Sequence, residues 1–253
     1  MMLSYADTYR RDRPPAEREA FIGLAETLSR EDTSWRRAYV LKDRGDLRRL
    51  RDDLEGAARD YEDALALFQA VEDRRGQAKV FRARGRLRHL RNDLEGAARD
   101  YDDALALYHA DKNRLGQANV LLSRGALRFR DDLEGAARDY DDALALYDDI
   151  EDRLGQANVL KARGHLAREQ GEWAQALRWY EEALSFYQET QSPLGLGNAL
   201  AEIARARNQL GQPEAARTAA EEALRFAIPG ENRYAEELAR SVLEEIGGES
   251  RSS

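Results

Sequence analysis

The chain has 253 residues, 42% hydrophobic and 35% charged, with no cysteine and a formal net charge of -8. The missing cysteine excludes a disulfide framework and a thiolate zinc site, no apolar run approaches the roughly 20 residues that span a bilayer, and an acidic balance with pI ≈ 5.2 speaks against a general nucleic-acid binder. So high a charged fraction, at a mean hydropathy of -0.75, suits a shape with much surface, in which each element buries only a stripe.

Met1 to Pro15 is polar and charged, so no signal peptide is expected, and a cytoplasmic location is the default reading. Ser4–Arg11 and Ala16–Ser29 read as two helices separated by Pro14-Pro15. Phe21 lies 40 residues before Tyr61, which makes the second of them a degenerate copy of the helix around Tyr61.

Beyond residue 34 the chain repeats itself. The string DLEGAARDY occurs at Asp53–Tyr61, Asp93–Tyr101 and Asp132–Tyr140, and Asp93–Tyr108 is identical to Asp132–Tyr147. Weaker copies run from Glu172 through Tyr180 and from Gln212 to Ala223. The equivalent positions Tyr61, Tyr101, Tyr140, Tyr180 and Ala220 are spaced 40, 39, 40 and 40. The one-residue deficit falls at a predicted turn between Gly125 and Asp132.

Each period reads as two helices. In the second, Leu94, Ala97, Ala98, Tyr101, Ala104, Leu105 and Tyr108 form an i, i+3, i+4, i+7 stripe, with Asp93 or Asn92 as N-cap. The first runs from about Gly76 to His89 and carries Gly85, which recurs as Gly45, Gly125 and Gly164, with Ala204 in the fifth copy. A mid-helix glycine costs about 1 kcal/mol against alanine, so its repetition predicts two helices too close for a side chain. After the last copy, Asn232–Ile246 reads as an amphipathic helix.

The alternation of small and large residues resembles the tetratricopeptide repeat. The residues that carry it are Gly45, Ala57, Tyr61 and Ala64 in copy one, Gly85, Ala97, Tyr101 and Ala104 in copy two, and Gly125, Ala136, Tyr140 and Ala143 in copy three. Copy four has Gly164, Ala176, Tyr180 and Ala183; copy five, with Ala204, Ala216, Ala220 and Ala223, has lost both glycine and aromatic. The likeness covers Trp35 to Ile228, with helices longer than the family's usual period of about 34 implies. It implies an all-α, right-handed superhelical solenoid of antiparallel helix pairs. The expected layout is N-terminal capping helices at 1–33 and repeats at 34–73, 74–113, 114–152, 153–192 and 193–230. A capping helix at 231–247 and a disordered tail at 248–253 complete it.

One departure from the family stands out. Before the first-helix glycine this chain has Arg44, Arg84, Arg124 and Arg163, and before the second-helix aromatic it has Asp60, Asp100 and Asp139. Copy five is apolar at both places, with Ile203 and Ala219. This covariation predicts an ion pair between the two helices of each of the first three copies, and in copy four a stack of Trp179 on Arg163.

Charge is sorted by helix. Lys79, Arg82, Arg84, Arg86, Arg88 and Arg91 face no acid between Gln77 and Arg91, whereas Asp93–Asp111 holds six acids against Arg99. In proteins this chain resembles, first helices line a concave surface. The resemblance therefore implies a basic groove on an acidic body, suited to an acidic peptide of a partner protein. Carried over by their offset from the glycine, the groove residues are Lys42 and Arg49 (with Tyr39 and Asp46) in copy one, and Lys79, Arg82, Arg86 and His89 in copy two. Copy three gives Asn119, Leu122 and Phe129 (with Ala126), copy four gives Asn158, Lys161, His165 and Arg168, and copy five gives Asn198 and Arg205 (with Ala201 and Asn208). The repeated asparagines suit an extended peptide backbone, and Leu122 with Phe129 suits one apolar anchor.

Catalytic chemistry is not indicated. His89, His109 and His165 share no metal-ligand spacing, and no nucleotide-binding or nucleophile motif occurs. The adjacent acids Asp102-Asp103 diverge by about 100° on a helix. Neither enzymatic activity nor a cofactor is expected. The sequence points to a protein-interaction scaffold without membrane attachment. A helical-repeat RNA binder, and a self-associating or docking module of a bacterial regulatory system, stay open as alternatives.

Overall fold

A computed structural model describes residues 34–249; the capping helices expected at 1–33 and the last four residues lie outside them. Among the described residues there are eleven helices and no strand. They are α1 (Ser34–Leu50), α2 (Leu54–Ala70), α3 (Arg74–Leu90), α4 (Leu94–Ala110), α5 (Arg114–Arg128), α6 (Leu133–Asp149), α7 (Arg153–Glu169), α8 (Trp173–Glu189), α9 (Pro193–Gln209), α10 (Pro213–Ala227) and α11 (Arg233–Glu249). The last runs through Gly247 and Gly248, two residues into the span read as a tail.

The chain forms two compact units, with α1–α4 in the first and α5–α11 in the second. Within each, consecutive helices pack on one another. The first helices of successive repeats also touch: α1 with α3 in one unit, and α5 with α7, α7 with α9 and α9 with α11 in the other.

Local chemistry sets the helix ends. Asp53, Asp73, Asp93, Asn113, Asp132, Asp152 and Ser192 each accept a hydrogen bond from the N–H of the glycine three residues on, which satisfies a donor the helix cannot. Asn92 is therefore not the cap of α4. It is the left-handed residue of the turn, φ 61°; Asp52, Glu72, Lys112, Glu151, Gln191 and Glu231 do the same with φ of 50–65°, and Gly171 and Gly211 with φ of 76° and 70°. The turn between α5 and α6 alone has no such residue. There lies the one-residue deficit of the third copy: the chain drops its left-handed residue and closes with bonds from the N–H groups of Asp131 and Asp132 to Arg128 O at 3.1 and 2.8 Å.

The close approach predicted at the glycines is present. A Cβ on Gly45, Gly85, Gly125 or Gly164 would lie 2.3–2.7 Å from Cε1 of Tyr61, Tyr101, Tyr140 or Tyr180. A second set of contacts joins one repeat to the next: a Cβ on Gly76, Gly155 or Gly195 would sit 2.2 Å from the ring of Phe68, Tyr147 or Tyr187. The alanines that flank these rings are fully buried.

The predicted ion pairs form, and each is larger than a pair. Arg44 grips Asp60 bidentately at 2.9 and 2.7 Å, Arg84 grips Asp100 at 2.9 and 2.6 Å, and Arg124 grips Asp139 at 3.0 and 2.7 Å. A second arginine, Arg48, Arg88 or Arg128, reaches the same carboxylate at 2.9–3.0 Å. The aspartates are 1–2% exposed, whereas the arginines keep access to water. In copy four Arg163 lies 4.7 Å over the Trp179 ring, as expected, and pairs with Asp141 of the preceding repeat.

Replacing both Arg84 and Arg88 with Leu strands a buried carboxylate and lowers unfolding stability in urea by about 3–5 kcal/mol; adding Asp100→Leu restores most of it. A double variant as stable as the parent would show that the aspartate is not held by these arginines. Independently, Glu151→Gly relieves a left-handed non-glycine residue and stabilises by about 0.5–1 kcal/mol, read from the same urea midpoints.

Candidate functional site

The predicted site residues all lie on the first helices of their repeats, with Phe129 at the C-cap of α5. All are partly buried.

In the first unit, Lys42, Arg49, Lys79, Arg82, Arg86 and His89 stand on α1 and α3. Lys42 Nζ lies 3.0 Å from Asp43 and 2.7 Å from Asp46. Burial presses the ammonium towards neutrality, and Asp46 with Asp43 more than reverses this, holding its pKa above the ordinary value. Burial likewise raises the Asp46 carboxyl. Lys42, its hydrogen bond and one from Tyr61 outweigh that and carry the pKa down to about 2. Arg49 is close enough to act on both Asp46 and Tyr61, though its Nε is buried without a partner. Lys79 Nζ sits 5.0 Å over the Tyr39 ring, and Tyr39 donates to Asp73 at 3.2 Å. Burial, then Lys42, lowers the Lys79 pKa. The first-helix surface here is thus not uniformly basic: carboxylates Asp43, Asp46 and Asp73 are set among its cations.

In the second unit, α5 contributes Asn119, Leu122 and Phe129, α7 contributes Asn158, Lys161, His165 and Arg168, and α9 contributes Asn198 and Arg205. The asparagines are engaged by the scaffold. Asn119 Nδ2 donates to Leu115 O at 2.8 Å, Asn158 Oδ1 accepts from the Tyr187 hydroxyl at 2.8 Å, and Asn198 Oδ1 accepts from Asn232 at 2.8 Å. For Asn158 and Asn198 this fixes the amide and leaves Nδ2 as the group with donors to offer.

Glu202 is the residue the sequence reading missed. It is 0% exposed, and four groups from two other helices and its own converge on it. Arg168 Nη1 is 3.4 Å from both carboxylate oxygens, Arg205 Nη1 is 3.7 Å from one, and His165 Nδ1 is 3.5 Å from the other. Tyr234 of α11 donates its hydroxyl to the same carboxylate. The signal was there in the run Ala199–Ala206, where a glutamate stands among alanines and apolar residues and every position but Arg205 is buried. Burial is the main force on His165, and with Lys161, Arg168 and Arg205 around it the imidazole pKa falls to about 4 despite Glu202.

Among the described residues no group of three or more histidines, aspartates and glutamates could hold a metal ion, and no helix is long and apolar enough to cross a membrane.

His165 supplies a titration test. Its folded pKa lies below the ordinary value of about 6.5, so the neutral ring belongs to the fold. The stability it contributes is complete above pH 6.5 and is lost as pH falls towards 4. NMR of the ring should show it neutral at about pH 6, and His165→Leu should flatten the loss of stability between those limits. A ring half-protonated near pH 6.5 would contradict this burial.

A family model described as tetratricopeptide repeat matches residues 116–189. No curated protein matches the chain in sequence. Among solved structures, BtubC (BKLC) from P. vanneervenii is similar with a TM-score of 0.68 at 18% identity, over 85% of this chain and 90% of that one. A Rap protein complexed with Competence and Sporulation Factor gives 0.75 at 15% identity, over 92% and 69%. NprR in complex with its cognate peptide NprX gives 0.69 at 16% identity, over 92% and 67%. At such identities the likeness is one of fold: an all-helical repeat solenoid.

Proposed function

We propose that this tetratricopeptide repeat protein is a non-enzymatic interaction scaffold that holds an extended, acidic peptide segment of a partner protein on the first helices of its repeats. The observation that carries the reading is the held amides of Asn158 and Asn198. Each has its oxygen bonded within the scaffold at 2.8 Å, which presents a pre-oriented donor towards a peptide carbonyl at no further cost in side-chain order. The structural neighbours support the class, since the Rap protein was solved with Competence and Sporulation Factor and NprR with its cognate peptide. The cations Lys79, Arg82, Arg86, Lys161, Arg168 and Arg205 favour an acidic ligand. The interleaved Asp43, Asp46 and Glu202 argue that such a ligand is recognised by a pattern of charge rather than by a uniform field.

A labelled oligoglutamate peptide tests the reading, with an oligolysine peptide and single-stranded RNA alongside. The acidic peptide should bind, and Arg82→Glu with Lys161→Glu should weaken it at least about tenfold while circular dichroism stays unchanged. Equal binding by the double variant would sink the groove assignment, and preferential binding of RNA would replace it.

A further inference from the structure

The position after the first-helix glycine changes from repeat to repeat, and in the first and fourth repeats the phenol of the following helix meets it. In the first repeat Tyr61 donates to Asp46 at 2.7 Å. In the fourth, the Tyr180 hydroxyl and His165 Nδ1 are 3.0 Å apart. One ring pose produces both contacts. A Cβ built on Gly45 would lie 2.6 and 3.2 Å from Cε1 and Cζ of Tyr61, and one on Gly164 would lie 2.3 and 2.8 Å from the same atoms of Tyr180.

The third repeat keeps the pose and lacks the partner. The corresponding distances from Gly125 to Tyr140 are 2.5 and 3.2 Å, but the next residue is Ala126, whose methyl group can bond to nothing and which is exposed. Tyr140 is itself 2% exposed. No hydrogen bond reaches its hydroxyl among the described residues, yet the hydroxyl is not sealed in, since the buried unpartnered side-chain atom there is Arg49 Nε and not this one. What remains is a notch with a phenol donor at its floor. Leu122, four residues before Ala126, and Phe129, three after, lie on the same helix face and flank it.

The flanks decide what the notch accepts. Asp46 can be a carboxylate because Lys42 stands one turn away at 2.7 Å. The third repeat has Leu122 in place of that lysine and Phe129 in place of Arg49, so an anion there would lose its water without a cation at either of those positions to replace it. His165, a neutral imidazole, is the better precedent.

We propose that the third repeat contains a side-chain socket in which the Tyr140 hydroxyl donates to a neutral acceptor, an imidazole or carboxamide, carried on the apolar stem of a partner's side chain. The ligand thereby supplies from outside the group that His165 supplies from within the chain one repeat later. The occupant rests on the reading of the protein as a peptide-binding scaffold; the socket itself can be tested without a peptide.

The probe is imidazole at about pH 8, where it is mostly neutral, titrated into the full chain carrying ¹³C-labelled tyrosine rings and leucine methyls. A saturable shift of the Tyr140 signals in the millimolar range is expected, with acetamide acting likewise and acetate more weakly. Ala126→His, which installs the fourth repeat's own filler, should abolish the response and leave Tm unchanged or raised. Tyr140→Phe should abolish the matching shift at Leu122. A silent Tyr140 in the parent protein, a response that survives Ala126→His, or a preference for acetate would each overturn the socket. The oligoglutamate result is independent of all three, so failure of the groove reading and failure of the socket are distinguishable.

Discussion

An aromatic ring lying where a side chain's first carbon would otherwise be sets the geometry of this protein. Within four repeats the ring is the second-helix tyrosine against the first-helix glycine, and at three junctions it is the last aromatic of one repeat against the first glycine of the next. Each contact removes a large apolar surface from water, about 1.5–3 kcal/mol for a side chain of this size, and admits only one spacing and one register, because a Cβ at any of these glycines would strike the ring. Two of the same tyrosines, Tyr61 and Tyr180, also bring their hydroxyls to first-helix side chains, Asp46 and His165. Packing and the placement of the hydroxyl therefore depend on one side chain, and a change that loosened the helix pair would also move the hydroxyl.

The buried aspartates add a second constraint of a different kind. Asp60, Asp100 and Asp139 sit between paired helices, each held by two arginines. Ion pairs so buried are costly to form and costlier to half-remove, which favours register over raw stability. They also change the meaning of the charge pattern. Arg44, Arg48, Arg84, Arg88, Arg124 and Arg128 count as basic residues of the first helices, yet their partners are in the helix interface. Sorting charge by helix overstates how basic the exposed face is, and the acids Asp43, Asp46 and Glu202 reduce it further.

What was legible in the sequence was whatever recurs at one period. The helix pairs, the glycine–tyrosine contact and the first arginine of each ion pair all show as the same letter at the same offset. The second arginine recurs as well, at four residues past the first, but one helical turn brings it to the same carboxylate only if the aspartate is buried, and burial is not a letter. The left-handed turn residues were hidden because seven of nine are not glycine. Least legible were contacts that cross from one repeat to the next, such as Tyr39 with Asp73, Asn232 with Asn198, and Arg168 with Glu202. These partners lie 34 residues apart, short of a full period, so aligning repeat on repeat never sets them side by side.

The comparison of neighbouring repeats shows where the chain has put its differences. The second helices of copies two and three are identical from Asp93 to Tyr108 and from Asp132 to Tyr147. Their first helices share the framework of both glycines, the Gln-Ala pair, the valine, both ion-pair arginines and the leucine. All four face positions differ: Lys79 against Asn119, Arg82 against Leu122, Arg86 against Ala126, and His89 against Phe129. Copies three and four are identical through their first eight helical residues and part at Leu122 against Lys161, with Ala126 against His165 coming one turn later. Duplicates that drifted freely would scatter such changes over both helices, since solvated acids on the second helix tolerate substitution cheaply. Between copies two and three the second helices stay identical from Asp93 to Tyr108 while every one of the four face positions of the first helix has changed. The four repeats that keep the phenol set four different residues after the glycine, Asp46, Arg86, Ala126 and His165, which is the variation that the proposed reading of an irregular partner calls for.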